Sequence, residues 1–200
     1  MMTTLTAKYD LKLGQHAVNF LVGTSYEHYK YERLYSKRTD FVSDGLEDIE
    51  QGNNISKDLP DGRGIVESKM LSYFGRINYS YKDRYLFEAN LRADASSRFH
   101  KDNRWGWFPS FSAGWRISEE SFMKPIAWLN NLKLRASYGT LGNINNVGYY
   151  DYFELLSSNA NYNFNDEPVK GVLEAQITNK TLGWETVALA DFGLDVRFVR

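Results

Sequence analysis

Four groups of side chains have residue types and spacings that could do chemistry. Ser121-Phe122-Met123-Lys124 sets a hydroxyl three residues before an amine, the S-x-x-K spacing of serine acyl-transfer enzymes. That chemistry also needs a K-T-G or S-D-N companion to hold its substrate, and neither string occurs. Asp40, Asp44, Glu47, Asp48 and Glu50 crowd one stretch and offer oxygen ligands of the kind calcium takes. The stretch lacks the EF-hand order of a central Gly and a terminal Glu, and it reads as a solvated acidic loop. Arg98, His100, Lys101 and Arg104, beside Phe99 and Trp105, mix cations with rings as single-strand binders do. The whole chain, however, balances 24 Lys+Arg against 25 Asp+Glu for a net charge of −1. That is not the basic footprint of a nucleic-acid binder, so no nucleic-acid partner is expected and the basic group reads as a loop contact. The fourth group is aromatic: Tyr149, Tyr150, Tyr152 and Phe153 in one long connection, with Tyr29, Tyr31 and Tyr35 opening another. Rings with a polar handle suit stacking on sugars or packing on a partner protein. Tyr149, Tyr150, Tyr152 and Phe153 are therefore the candidate substrate- or partner-contacting residues. Cysteine is absent, histidines number three, and no G-x-S-x-G, H-E-x-x-H or Gly-rich phosphate loop occurs. No enzyme, no cofactor and no metal site is expected.

The elements that carry these groups have a period of two. Leu5, Ala7, Tyr9, Leu11 and Leu13 alternate with Thr6, Lys8, Asp10 and Lys12, which is a strand with one apolar face. The same alternation recurs over 16–30, 70–81, 85–94, 105–117, 132–140 and 184–198. These seven segments are 9 to 15 residues long. Ordinary globular strands average about 5–6 residues, whereas a tilted strand crossing a membrane needs about 9–11. Gly148–Leu156 offers a possible eighth strand. No run of 18 apolar residues exists, so no transmembrane helix is predicted. Between Ser118 and Asn131 the spacing of Phe122, Met123, Ile126 and Trp128 suggests a short helical turn interrupted at Pro125.

Three features separate the possible all-β architectures. The non-apolar face carries Arg76, Glu88, Arg92, Asp94, Arg116, Lys133, Arg135, Asp191 and Asp195, as the interior of a membrane barrel requires. Tyr73, Tyr79, Tyr81, Tyr85, Trp105, Trp107 and Trp184 lie near strand ends, where an interfacial girdle sits, although cross-strand packing also collects aromatics. The connections are sorted as well: alternate ones total 19 residues on one side and 92 on the other. Outer-membrane barrels have short periplasmic turns and long extracellular loops, and a soluble sandwich has no reason to sort them. The expectation is an antiparallel transmembrane β-barrel segment. Its alternatives are a complete small barrel acting as an anchor or adhesin, and a soluble β-sandwich binding module.

Several strings also carry a family likeness. They are Tyr73-Phe74-Gly75-Arg76-Ile77-Asn78-Tyr79 through Tyr85-Leu86, Leu91-Arg92-Ala93-Asp94-Ala95-Ser96-Ser97-Arg98-Phe99, and Asn103-Arg104-Trp105-Gly106-Trp107-Phe108-Pro109-Ser110. Gly114-Trp115-Arg116-Ile117-Ser118-Glu119-Glu120, Trp128-Leu129-Asn130-Asn131-Leu132-Lys133-Leu134-Arg135 and Leu182-Gly183-Trp184-Glu185-Thr186 follow in order. The region resembles the later barrel of SusC/RagA-type TonB-linked outer-membrane transporters of the Bacteroidetes. The resemblance implies seven to eight strands of a barrel of about 22, closed around a plug. It also implies uptake of oligosaccharides or peptides, a SusD-type surface lipoprotein as partner, energy supplied through TonB, and contact with outer-membrane lipid. A family member carries a signal peptide, a TonB-contacting segment and a plug, none of which lies in these 200 residues. Residues 1–200 are thus expected to be a partial barrel domain. Ala95 stands where the family tends to have glycine, and the chain ends Val199-Arg200 rather than on an aromatic residue.

Overall fold

A computed structural model of the chain describes residues 1–36, 38, 62–126, 128–164, 167–174 and 177–198. The acidic group Asp40, Asp44, Glu47, Asp48 and Glu50 lies outside the described residues. Seven long strands pair in chain order as an antiparallel meander: β1 (Met2–Leu13), β2 (His16–Tyr35), β3 (Gly62–Tyr81), β4 (Tyr85–Ser96), β5 (Trp105–Arg116), β6 (Leu129–Asn143) and, after an excursion, β9 (Glu185–Phe198). The excursion contains a separate hairpin of β7 (Leu156–Phe164) and β8 (Glu167–Glu174). All seven expected strands form. The local chemistry at the short turns is legible: Gly14, at φ +60°, opens the two-residue Gly14-Gln15 hairpin as a II′ turn demands. Lys82 and Asp83 take φ of 54° and 55° in the tight link from β3 to β4. The Lys82 amide donates to the Gln15 carbonyl at 2.8 Å, tying these two turns together.

Register fixes which residues share a face. Phe20, Ile77, Ala89, Phe111, Tyr138 and Ala190 stand opposite one another in an unbroken row across six strands. On the other face Asn78 meets Glu88, Arg76 meets Asn90, Ser112 meets Glu88 and Ser137, and Lys133 meets Asp195. The apolar face is bare: Phe111 is 57 % exposed, Trp107 63 % and Phe192 85 %. Among the described residues the buried apolar side chains are Ala93, Phe99 and Phe108. A soluble sandwich would cover this face with a second sheet about 10 Å away. No second sheet packs there among the described residues, so the sandwich alternative fails. The small closed barrel fails too, because β1 and β9 are the two edges of an open sheet rather than neighbours.

The structure corrects several expected boundaries. β2 continues to Tyr35 and β3 begins at Gly62, so each is 20 residues long and reaches about 65 Å at ~3.3 Å per residue. Period-two alternation is legible only where one face is apolar, and in the β2 extension neither face is: Tyr31, Arg33 and Tyr35 share one, Glu32 and Leu34 the other. Gly148–Leu156 is not an eighth strand of the sheet. Residues 149–153 are turns and bends, and the strand that begins at Leu156 pairs with β8 alone. The turn after β5 is a single 3-10 turn, Ile117–Glu119, followed by tight turns rather than an α-helix. Its amide donors are Glu120, Met123, Ile126 and Leu129, each bonding three residues back and bypassing Pro125, which has no N–H. The sorting of connections persists: β1 leads to β2, β3 to β4 and β5 to β6 at one end of the sheet, while β2 is left and β3 entered, β4 left and β5 entered, and β6 left and β9 entered at the other.

Candidate functional site

The apolar face is bounded by aromatic rows. At the short-turn end His16, Tyr81, Tyr85 and Trp115 form a ladder across β2–β5, with successive ring centroids 4.8, 6.3 and 6.3 Å apart. Trp128 stacks on Phe198 at 5.8 Å farther round. At the loop end Tyr73 stacks on Trp105 at 5.9 Å, with Trp107 one outward position below. The rings are thus both girdle and cross-strand packing. Trp105 and Trp115 are ten residues apart on β5, about 33 Å along the strand. At the 35–45° tilt of membrane barrels this spans roughly 23–27 Å of depth, close to the ~25 Å apolar band of such barrels. Trp184 departs from the expected girdle. Its ring packs against Phe99 (5.4 Å) and Phe108 (5.3 Å), and its Nε1 donates to the Arg104 carbonyl at 2.8 Å. Phe108 has the parity of Arg92, so Trp184 belongs to the polar side. Gly106 makes room for it, since a Cβ there would come within 2.8 Å of the indole.

The polar face is wired both across and along the strands. Arg76 Nε donates to Asn90 Oδ1 at 2.6 Å, and Asn90 Nδ2 donates to Glu88 Oε1 at 2.8 Å. Arg92 Nε grips Asp94 at 2.8 Å while its Nη2 donates to Ser72 Oγ at 3.1 Å. Arg135 Nε lies 3.6 Å from Asp195 Oδ1. Each exposed pair contributes little to stability. Together they define a face that water or a polar filling can meet and hydrocarbon cannot.

At the loop end the structure gathers two groups that the sequence holds apart. Tyr149 lies between the Tyr29 ring, 6.2 Å away, and the Arg98 guanidinium, 4.1 Å from its centroid. Arg98 Nη1 also donates to the Ile144 and Val147 carbonyls at 3.4 and 3.1 Å. Tyr150 Oη accepts from the Glu67 amide at 3.3 Å. Tyr152 packs on Phe153 at 4.4 Å and meets the His100 ring edge-on at 6.1 Å. The expected loop contact of the basic group is therefore present, and its counterpart is the aromatic cluster itself. Asn103 Nδ2 adds a bond to the Lys180 carbonyl at 3.0 Å, so the 97–104 turn pins both the start and the end of the long excursion. No ring contact joins Tyr31 or Tyr35 to this cluster among the described residues. Sequence reasoning missed the pinning because the partners are 46 to 80 residues apart.

A second missed feature lies at the short-turn end. The Glu120 carboxylate, nearly buried, accepts from Tyr85 Oη at 2.7 Å, Trp115 Nε1 at 3.2 Å and Arg84 Nη1 at 3.2 Å. The Tyr85 hydroxyl foremost, then the Trp115 indole and the Arg84 charge, hold its carboxyl below the usual range. Glu120 thereby fastens the 117–128 turn to the ends of β4 and β5. The S-x-x-K serine, Ser121, follows it on an exposed turn.

Comparison with known proteins agrees with this geometry. The TonB-dependent receptor SusC of Bacteroides thetaiotaomicron is 35% identical over 201 residues, covering 96% of this chain and 19% of that protein. The TonB-dependent receptor P39 of Formosa agariphila is 35% identical over 182 residues, covering 91% of this chain and 17% of its own length. The solved structure of the RagAB peptide transporter superposes with a TM-score of 0.85 at 29% identity, covering 98% of this chain and 21% of that one. The chain thus spans about a fifth of the length of these relatives. A family model described as TonB dependent receptor-like, beta-barrel, matches residues 2–198. With nearly every residue inside that match, the chain belongs to the TonB-dependent receptor-like β-barrel family, whose members are transporters and receptors.

Proposed function

We propose that this chain is a lipid-facing section, from the later barrel, of a SusC/RagA-type importer in the outer membrane of a Gram-negative bacterium of the Bacteroidetes. The importer takes up oligosaccharides or peptides, works with a SusD-type surface lipoprotein and draws energy through TonB. The observation that carries the reading is the inversion of faces: large apolar and aromatic side chains are bare outside, while charges line the other side. Hydrocarbon accepts the first face, and a hydrated or plugged interior accepts the second. The edges of β1 and β9 must also be paired, since each backbone group left unbonded in lipid costs several kcal/mol. Further strands of one closed barrel, about 22 in this family type, would supply that pairing. On the extracellular side Tyr149, Tyr150, Tyr152 and Phe153, braced by Arg98 and His100, form a surface for substrate or lipoprotein.

The test is uptake of labelled oligosaccharide and peptide pools by wild-type cells, by cells lacking the gene and by cells lacking TonB. Loss of the same component of uptake in both mutant strains is expected. Uptake unchanged in both would refute the reading.

A further inference from the structure

Beyond the loop-end aromatic row β2 and β3 continue as a two-stranded ribbon, and their register is unbroken up to the Tyr35–Gly62 pair. On the polar-face parity β2 presents Tyr29, Tyr31, Arg33 and Tyr35, while β3 opposes them with Ser68, Val66, Gly64 and Gly62. Tyr29 stacks on Tyr149, but the small partners leave Tyr31, Arg33 and Tyr35 uncovered. Tyr31 is 50 % and Tyr35 39 % exposed, and a Cβ on Gly64 would meet nothing within 4 Å. The opposite face of the ribbon neutralises itself, with Lys30 on Glu32 (2.5 Å), and His28 (2.9 Å) and Lys69 (3.1 Å) on Glu67. Arg33 differs: it is exposed and forms no ion pair or hydrogen bond with any described residue. The next polar-face carboxylate down β2, Glu27, is six residues away, about 20 Å along the strand.

We propose that Tyr31, Arg33 and Tyr35 form a binding strip for an acidic oligosaccharide, one bearing carboxylate or sulfate groups. The proposal rests on the importer reading above and names a substrate class for it. The two rings flank the guanidinium at one two-residue step on either side, about 13 Å from Tyr31 to Tyr35. Ring faces offer apolar surface with a polar rim to the C–H side of a sugar. The planar guanidinium takes a carboxylate or sulfate by two parallel hydrogen bonds. Backbone groups of paired strands lie in the plane of the ladder, so a ligand on this face meets side chains alone. An extended peptide, which binds sheets chiefly through main-chain bonds, gains little there.

The experiment titrates the purified full-length receptor with oligogalacturonate, its methyl-esterified neutral form, and a Glu-rich peptide. Wild-type protein should bind oligogalacturonate in a salt-dependent way and more tightly than the neutral form or the peptide. Arg33→Gln should weaken oligogalacturonate about tenfold and abolish its advantage over the neutral form. Tyr31→Ala should weaken both glycans. Arg33 and Tyr31 are exposed, so neither change removes core packing, and unaltered melting of each variant checks this. Binding unaffected by either change, or tighter binding of the peptide than of the acidic glycan, overturns the proposal. TonB-dependent uptake that survives both variants while the strip fails would leave the importer reading standing, and wild-type uptake independent of TonB would remove that reading instead.

Discussion

Ala89→Arg is the sharpest test of what the bare face meets. Ala89 stands opposite Ile77 and Phe111, and Phe111 lies four residues from both Trp107 and Trp115 on β5. Four residues are about 13 Å of strand, or roughly 10 Å of depth after tilt, which puts Ala89 near the bilayer midplane. Arginine there should cost roughly 2–4 kcal/mol. Ala113 faces the same way but lies two residues from Trp115, about 5 Å of depth from the ring row, so Ala113→Arg should cost nearer 1 kcal/mol. Ser112 sits on the polar face opposite Glu88 and Ser137, and Ser112→Arg gains a carboxylate neighbour at little cost. The assay is urea unfolding of the full-length receptor in lipid vesicles, followed by gel mobility of the folded form. The predicted order is Ala89, then Ala113, then Ser112. Equal costs at Ala89 and Ala113 would refute the depth argument, and a Ser112 cost as large as that at Ala89 would refute the assignment of faces.

Two more expectations concern the ends of the wall. Because the folded Glu120 carboxyl is held below the ordinary value of about 4.3, its contribution is complete above the unfolded value and lost as pH falls through the folded one. The wild type should therefore melt higher than Glu120→Gln near neutrality, and the gap should close as pH is taken from about 5 towards 3; a constant gap would contradict this. Trp184→Ala removes the ring that packs on Phe99 and Phe108 and should loosen the loop end by about 2–3 kcal/mol. Limited proteolysis should then cut between 144 and 183 faster with barrel mobility on gels unchanged, whereas unchanged cleavage would show that the pin lies elsewhere.

The wall was legible in the sequence because the fold repeats one rule. Where apolar and polar residues alternate over ten or more positions, as at Tyr85–Asp94, period, face and pairing follow together. The extensions of β2 and β3 were not legible, since beyond residue 30 Tyr31, Arg33 and Tyr35 alternate with Glu32 and Leu34 and neither face is apolar. The hairpin β7–β8 was hidden for the same reason among Asn and Ser residues. Trp184 shows a different gap. Its parity matched the outward face, yet it lies just before β9 begins, so a neighbouring phenylalanine pocket, not the pleat, directs its ring. The aromatic loop candidates were found by type, but Arg98, which braces Tyr149, acts across 51 residues, a relation that local pattern does not encode.

The most direct test of the central claim uses the absence of cysteine from the chain, which lets single cysteines be labelled cleanly. A fluorophore at Tyr79, Leu91, Ala113, Leu134 or Ala190 in the full-length receptor should be quenched by spin labels carried on lipid tails. The same fluorophore at Ser80, Asn90, Ser112 or Ser137 should not, because register puts these on the opposite face. Quenching that tracks the first set alone is the predicted result. Equal quenching of both sets, or none in membranes, would contradict the barrel wall and the importer built on it.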